Sequence, residues 1–180
     1  GGCGYAGCGG YAQAVLEALS ELAGDFVVAT AGPDLESILA AKGAGAVEYS
    51  AQTGKTVLHM DIGGGTSNLA LIRDGKILQT GCLNVGGRLV KFSEQGEVTY
   101  LSPVLSGICA WNIGEIPTKQ QREELARTLT AALEMAAGLR TETELLAHLT
   151  TKESVIASHS AEWRGNPVDE NWVISFSGGV

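Results

Sequence analysis

The sequence has few of the residues that build metal centres, disulfide frameworks and polyanion-binding surfaces. Its four cysteines form no CxxC pair, and its three histidines are scattered. This pattern predicts neither a zinc site nor a disulfide framework, and it favours a reducing, cytoplasmic setting. Only 12 basic residues stand against 20 acidic ones, which gives a net charge of −8, and the basic residues form no long cluster. Nucleic acid and membranes are therefore not expected as partners.

The sequence also lacks a signal peptide and an apolar run near the roughly 18 residues that a membrane helix needs. It does have a core-forming composition, because 44% of its 180 residues are hydrophobic, 18% are charged and 25 are glycine. A chain of this length can bury roughly 70% of its unfolded surface. The composition predicts a folded, turn-rich α/β protein.

The pattern along the chain changes near residues 10 and 55. Residues 1–10 hold six glycines and are expected to be a linker or an ill-defined segment. Residues 11–55 predict a helix up to Gly24, a short strand at 26–30 and a second helix that begins at Pro33. That second helix carries Leu35, Ile38 and Leu39 on one face, and a helix-terminating loop is expected at 43–48.

Residues 56–180 are expected to form the main domain. Apolar patterns predict strands at 56–61, 67–72, 76–82, 88–93 and 97–101, which glycine-containing turns join into a β-meander. Helical patterns follow at 118–137 and 141–150, and we expect a helical insertion at about 118–150. A last strand at 172–176 leads into a glycine pair. This order predicts an α/β layered domain, and its end on a glycine turn suggests a fragment of a larger protein.

The strongest functional signal is a run of three glycines after an apolar strand. Asp61 lies at the strand's carboxyl end, and Gly63, Gly64, Gly65 and Thr66 follow. Because glycine has no Cβ, such a turn can aim several backbone N–H groups at one anion, and a threonine hydroxyl can add a donor. A carboxylate at this place suits hydrated Mg²⁺ better than phosphate, since two anions repel. A plain hairpin turn is the alternative.

Other possible motifs are weaker. Gly54-Lys55-Thr56 resembles the end of a Walker A loop, but Tyr49 stands where that motif needs glycine, and a strand follows where it needs a helix. His59 alternates within an apolar strand and is expected to be a packed or edge residue. Cys82 and Cys109 are expected to be small hydrophobic residues without nucleophilic function.

The surroundings of the triple glycine resemble a known superfamily. The stretch 57–72 is similar to the second phosphate motif of actin, sugar kinases and DnaK-type chaperones, where two strands flank a glycine turn that holds the outer phosphates of ATP. Gly86-Gly87 lies where those chaperones carry paired glycines. Over residues 24–92, and again at 174–180, the chain resembles the EutA family of ethanolamine ammonia-lyase reactivating factors. The stretches that carry this resemblance include Gly24-Asp25-Phe26-Val27-Val28-Ala29, Gly43-Ala44-Gly45-Ala46, Gly81-Cys82-Leu83-Asn84-Val85-Gly86-Gly87-Arg88-Leu89 and Ile174-Ser175-Phe176-Ser177-Gly178-Gly179-Val180.

The resemblance implies an actin-like ATPase (ribonuclease H-like) lobe, with a mixed sheet, a β-meander, flanking helices and a helical insertion. It also implies a chaperone that uses ATP and Mg²⁺ to release damaged cobalamin from the adenosylcobalamin-dependent lyase, so that intact coenzyme can enter during ethanolamine catabolism. Weak ATPase activity is expected of the full-length protein. The implied partners are the lyase, nucleotide and a second copy of the chain, in the cytoplasm or at a bacterial microcompartment.

The resemblance further implies roles for single residues. Asp61 would hold Mg²⁺ through water, and Asp61 and Thr66 would be the catalytic residues. No tightly bound metal or cobalamin is expected in this fragment. The implied nucleotide-binding residues are Gly63, Gly64, Gly65, Thr66, Ser67, Gly86, Gly87, Gly178 and Gly179.

Two departures from the superfamily pattern limit these expectations. The first phosphate motif is absent, so the isolated fragment is expected to bind ATP poorly. Gly32 stands where related proteins place a glutamate that positions the hydrolytic water, and Glu36 is a possible substitute. Arg88, where the chaperones have an acid, would face either phosphate or solvent. The alternatives are a small-molecule kinase of the same fold and a non-catalytic actin-like interaction module.

Overall fold

The computed structural model describes residues 33–151 and 171–179, which belong to one compact unit. The helix and strand predicted between residues 11 and 30 lie outside the described residues. The helices are α1 (Pro33–Gly43), α2 (Ala46–Thr53), α3 (Lys119–Ala136) and α4 (Glu144–Leu149), with a short 3₁₀ helix at Pro103–Leu105. The strands are β1 (Thr56–Ile62), β2 (Ser67–Arg73), β3 (Lys76–Leu83), β4 (Val90–Phe92), β5 (Val98–Leu101) and β6 (Trp172–Ser177).

The main sheet has four strands in the order β3-β2-β1-β6. β1, β2 and β3 form an antiparallel meander, and β6 returns to pair with β1 in parallel. The β2–β3 turn uses Asp74 and Gly75, whose φ angles of 49° and 71° fit the positive-φ turns that hairpins favour. This mixed sheet with a meander and flanking helices confirms the predicted α/β architecture.

Helices cover both faces of the sheet. Successive residues of a strand point to opposite faces, so each strand contributes to two cores. On one face α1 and α2 pack over a small core formed by Ala41, Ala46, Val57, Ala70 and Ile72. On the other face α3 and α4 enclose the larger core, which includes Leu58, Met60, Leu69, Leu71, Leu83, Ala132, Met135 and Leu149.

The meander is shorter than the sequence suggested. β4 and β5 form a separate two-stranded sheet and do not extend the main one. The chain leaves the main sheet after Leu83, and Gly87 and Arg88 then donate hydrogen bonds to the turn between β1 and β2. The prediction of one five-stranded meander is therefore wrong for its last two strands.

Two further predictions for residues 33–53 need correction. The expected loop at 43–48 is a loop only as far as Gly45, whose φ of 73° reverses the chain and lets α2 begin at Ala46. In α1, the face packed on the sheet carries Ser37 and Ala41, which are 1% and 0% exposed. Leu39, on the face expected to be buried, is 54% exposed.

The helices after the sheets follow the sequence prediction closely. α3 begins at a capping box in which the Thr118 hydroxyl accepts from the Gln121 N–H group and the Gln121 side chain accepts from the Thr118 N–H group. Leu125, Ala132 and Ala136 are buried, as their spacing predicted. Within the described ranges, no helix is both long and apolar enough to cross a membrane.

Candidate functional site

Three glycine-containing turns meet at the carboxyl end of β1. We call residues 63–66, between β1 and β2, the first turn, and residues 86–88, after β3, the second turn. Residues 178–179, after β6, form the third turn. All three contain residues that the sequence assigned to nucleotide binding. The first and third turns meet because β1 lies between β2 and β6 in the sheet, and the second turn joins them through hydrogen bonds to the first.

The second turn is hydrogen-bonded to the first. The Gly87 N–H group donates to the Gly63 carbonyl oxygen at 3.0 Å, and the Arg88 N–H group donates to the Gly64 carbonyl oxygen at 2.7 Å. A Cβ atom on Gly86 would lie 2.6 Å from the Gly64 carbonyl carbon and oxygen, which is closer than atoms can approach. Only glycine at 86 permits this contact between two backbones.

The third turn packs equally closely on the end of β1. Gly178 has a φ of 115°, and a Cβ atom there would lie 2.1 Å from the Ile62 carbonyl oxygen. Both the backbone angle and the available space therefore require glycine. Among residues 33–151 and 171–179, a Cβ atom on Gly179 would meet nothing within 4 Å. Gly178 thus has a structural reason to be glycine, and the described residues give no such reason for Gly179.

The first turn uses some of its polar groups internally and leaves others available. The Gly63 N–H group donates to the Thr66 carbonyl oxygen at 2.9 Å, so it is not available to a ligand. Across residues 33–151 and 171–179, no acceptor is found for the N–H groups of Gly64 and Gly65 or for the Thr66 hydroxyl. A Cβ atom on Gly65 would meet no atom of these described residues within 4 Å. The donors available to an anion are therefore centred on Gly64 and Gly65.

Ser67 has a supporting position rather than an open one. Its side chain is fully buried, and its hydroxyl donates to the Val85 carbonyl oxygen at 2.7 Å. This bond joins the start of β2 to the segment that leads into the second turn. Ser67 stays a predicted nucleotide-binding residue, and its hydroxyl already has a buried protein partner.

Asp61 lies beside oxygen atoms that suit a hydrated divalent cation. It pairs with Asn68 across β1 and β2, which places both side chains on the same face. Asn68 is 7% exposed, and its Oδ1 atom has no hydrogen-bond partner among the described residues. Carboxylate and amide oxygens are ligands that Mg²⁺ accepts, and a buried amide oxygen without a partner indicates a missing donor or ion. The residues therefore fit Mg²⁺ held partly through water.

Glu36 reaches the same place from α1. Its Oε2 atom accepts from Asn68 Nδ2 at 3.3 Å, so the carboxylate lies next to the residue that faces Asp61. No cluster of three or more His, Cys, Asp or Glu side chains suited to a metal is found in residues 33–151 and 171–179. The fold thus adds Glu36 to the polar group around Asp61, without making a closed metal centre.

A buried histidine connects Asp61 to β6. His59 is 1% exposed, and its Nδ1 and Nε2 atoms lie 2.9 Å from the hydroxyl oxygens of Ser175 and Ser177. The Ser177 hydroxyl also donates to Asp61 Oδ1 at 2.5 Å. Burial lowers the pKa of His59, and the nearby Asp61 carboxylate opposes that shift. His59 is packed, as predicted, but it also belongs to a polar chain that the sequence did not indicate.

Arg88 lies against the first turn. Its side-chain Cδ atom would be 3.5 Å from a Cβ atom on Gly64, and the residue is exposed. No carboxylate within the described ranges forms an ion pair with it. The guanidinium group therefore belongs to the surface of the glycine turns, where it can meet an anion.

Sequence reasoning missed Asn68 and Ser177 as members of the site. The sequence places Asn68 only within an apolar strand, and it places Ser177 only before a glycine pair. The available signal was the alternation of β6, which places Ser175 and Ser177 on one face. That signal becomes useful only once the parallel register pairs Asp61 with Ser177.

The mixed sheet, the converging glycine turns and the adjacent carboxylate define an α/β protein. At the carboxyl end of β1, these turns and this carboxylate are suited to an anionic ligand that binds together with a cation. Residues 8–180 match the sequence model of the family described as "Ethanolamine utilisation protein EutA". Because the match covers nearly the whole chain, the chain belongs to the EutA family.

Relatives with assigned names agree with this membership. The protein named ethanolamine ammonia-lyase reactivase EutA is 56% identical over 89 residues in Salmonella typhimurium strain LT2 and 55% identical over 89 residues in Escherichia coli strain K12. Each alignment covers 49% of this chain and 19% of the relative's length. Among solved structures, MreB 5 of Spiroplasma citri bound to AMPPNP aligns with a TM-score of 0.40 and 18% identity, over 97% of this chain and 54% of that one.

Proposed function

We propose that the chain is part of a reactivating factor for ethanolamine ammonia-lyase, and that its three turns hold ATP with Mg²⁺ at Asp61. The relatives that carry the name of such a reactivase support the first half of this proposal. One structural observation supports the second half. Among the residues that the structure describes, the N–H groups of Gly64 and Gly65 have no acceptor, and their turn lies beside an acid and an amide oxygen without a partner.

The first turn supplies the phosphate contacts in this proposal. The N–H groups of Gly64 and Gly65 and the Thr66 hydroxyl donate to phosphate oxygens, as glycine-rich anion sites do. The Gly63 N–H group keeps the turn closed through its bond to Thr66. Gly86 and Gly87 stabilise the turn from behind through their backbone, and Arg88 adds a positive charge at its rim.

Asp61 and Asn68 supply the oxygen ligands for the hydrated cation. Bound Mg²⁺ neutralises phosphate charge and orients the phosphate chain. Glu36 lies beside Asn68 and is the carboxylate that this site offers for orienting a water molecule. Because Gly32 replaces the glutamate expected before the helix, we propose that binding and release of nucleotide matter more here than rapid hydrolysis.

The links between the turns suggest how nucleotide could change partner binding. The first turn contacts the second through two backbone hydrogen bonds, and the third turn packs on Ile62 immediately before the first. A ligand that binds one arrangement of these turns more tightly shifts the protein towards the conformation that contains that arrangement. The lyase would then bind differently to the two nucleotide states, and damaged cobalamin would be released in one of them.

Reactivation of the lyase tests this proposal in the full-length protein. Lyase inactivated by cyanocobalamin is mixed with the protein, ATP, Mg²⁺ and fresh adenosylcobalamin, and recovered deaminase activity is measured. We expect recovery with the wild-type protein and little recovery with Asp61→Ala. Absence of recovery with the wild type would contradict the proposal, and transfer of labelled γ-phosphate to a small molecule would favour a kinase instead.

A further inference from the structure

The polar chain between β1 and β6 joins the proposed metal ligand to the third turn. In the parallel register His59 pairs with Ser175 and Asp61 pairs with Ser177. The four side chains alternate onto one face of the sheet, and consecutive members lie 2.9, 2.9 and 2.5 Å apart. Each member therefore has a hydrogen-bond partner on the neighbouring strand.

The chemistry of the groups determines the direction of these hydrogen bonds. An ionised carboxylate can only accept, so the Ser177 hydroxyl hydrogen points to Asp61. The Ser177 oxygen must then accept from His59, which places the proton of the neutral ring on Nε2. His59 Nδ1 in turn accepts from the Ser175 hydroxyl. Ser177 can satisfy Asp61 in this way because His59 occupies the serine's acceptor site.

We infer that Ser177, oriented by His59, is a positioning residue that holds the Asp61 carboxylate for Mg²⁺. The bond occupies Oδ1 and fixes the plane of the carboxylate, while Oδ2 has no partner within residues 33–151 and 171–179. Outer partners of metal ligands commonly fix the ligand's orientation in this way. This inference rests on the proposed role of Asp61 in the nucleotide site.

The position of Ser177 links this effect to the third turn. Ser177 immediately precedes Gly178, and Gly178 is held against Ile62 by a contact that no other residue permits. A shift of the third turn would therefore move the Ser177 hydroxyl relative to Asp61. We therefore expect a ligand contact at the third turn to change the affinity of the site for Mg²⁺.

The test compares three serine variants in the full-length protein: Ser177→Ala, Ser177→Thr and the matched control Ser175→Ala. ATP binding is measured by calorimetry with Mg²⁺ and with EDTA, and thermal unfolding shows whether each variant is folded. Mg²⁺ should increase the ATP affinity of the wild type, and we expect this increase to be about tenfold smaller in Ser177→Ala. A tenfold loss is the lower end of the range for mutation of outer partners of metal ligands. Ser177→Thr keeps a hydroxyl and should restore most of that gain.

The control separates positioning from general support of the sheet. Ser175→Ala removes the hydroxyl that donates to His59 Nδ1 but leaves the bond between Ser177 and Asp61 in place, so it should reduce the Mg²⁺ gain clearly less than Ser177→Ala does. Equal losses in Ser175→Ala and Ser177→Ala, or unchanged Mg²⁺ dependence in Ser177→Ala, would overturn the inference alone. A wild-type protein whose ATP affinity ignores Mg²⁺ would instead overturn the proposed function.

Discussion

The two faces of the main sheet differ sharply at the end where the glycine turns meet. Leu58 and Met60 of β1 point into the large core beneath α3 and α4 and are each 2% exposed. His59 and Asp61, which alternate with them, point to the other face and belong to a polar chain. The same strand thus contributes to stability on one face and to the candidate site on the other.

The sheet face that carries His59 and Asp61 also changes along its length. Far from the turns this face is apolar, with Val57, Ala70 and Ile72 packed beneath α1 and α2. Near the turns it carries Asn68 and Asp61. Substitutions on the large-core face should therefore change folding alone, whereas substitutions at the turn end of the other face should change ligand binding. Variants on the two faces test this difference.

Truncation in the large core should have the largest effect on stability. Leu69 is fully buried, so Leu69→Ala should lower the free energy of unfolding by about 3 kcal/mol through lost burial and a cavity. Leu39→Ala, at a leucine that is 54% exposed, is the matched control and should change it by less than about 0.5 kcal/mol. Denaturant unfolding measures both. Similar losses in the two variants would mean that the core is not where we place it.

The contact between the first and second turns can be broken by one methyl group. Gly86→Ala places a Cβ atom 2.6 Å from the Gly64 backbone and should cost about 1–3 kcal/mol. It should also weaken ATP binding, because the first turn must move. Gly65→Ala introduces the same methyl group where no atom of the described part of the chain lies within 4 Å, and should leave stability nearly unchanged. Unfolding and calorimetry compare the pair, and equal stability would contradict the close contact.

The Ser67 hydroxyl should support the turns from the large-core side. Ser67→Ala removes the buried donor to the Val85 carbonyl oxygen and should cost about 1–2 kcal/mol. The Mg²⁺ dependence of ATP binding should remain, since Asp61 lies on the opposite face. Unfolding and nucleotide titration on one sample test both statements. A loss of Mg²⁺ dependence without a loss of stability would show that Ser67 contacts the ligand after all.

His59 should give the smallest effect, a pH dependence of stability. Burial lowers its folded-state pKa below the ordinary value of 6.5, against the opposing charge of Asp61. Between the two values the unfolded chain binds more protons, so stability should fall as pH drops below about 6.5. Glu36 from α1 is the other acid in this polar group. His59→Gln should reduce the slope of the unfolding free energy against pH between about pH 7 and 5. An unchanged slope would mean that other groups cause the pH dependence.

Local patterns were enough to predict the elements that form the site. β1, β2 and the first turn follow from an apolar run, three glycines and a second apolar run. α3 follows from its repeating apolar stripe. These features depend on neighbouring residues, so they can be read from one stretch of chain.

The remaining features depend on pairings between distant residues. The register that places Ser177 opposite Asp61 joins residues on separate parts of the chain, and no local pattern specifies it. The exposed Leu35 and Leu39 face of α1 also resembled a core stripe, while the actual contact uses the smaller Ser37 and Ala41. Small residues let α1 approach the sheet closely, and the requirement for small residues at these positions is visible only in the folded structure.

We propose that ATP with Mg²⁺ binds where the glycine turns meet, next to Asp61. Calorimetric titration of ATP into the full-length protein and its Asp61→Ala variant, with Mg²⁺ and with EDTA, tests this proposal. We expect Mg²⁺ to strengthen ATP binding to the wild type and to have little effect on Asp61→Ala, which should still bind metal-free ATP. Equal Mg²⁺ dependence in the two proteins, or no ATP binding by the wild type, would contradict it.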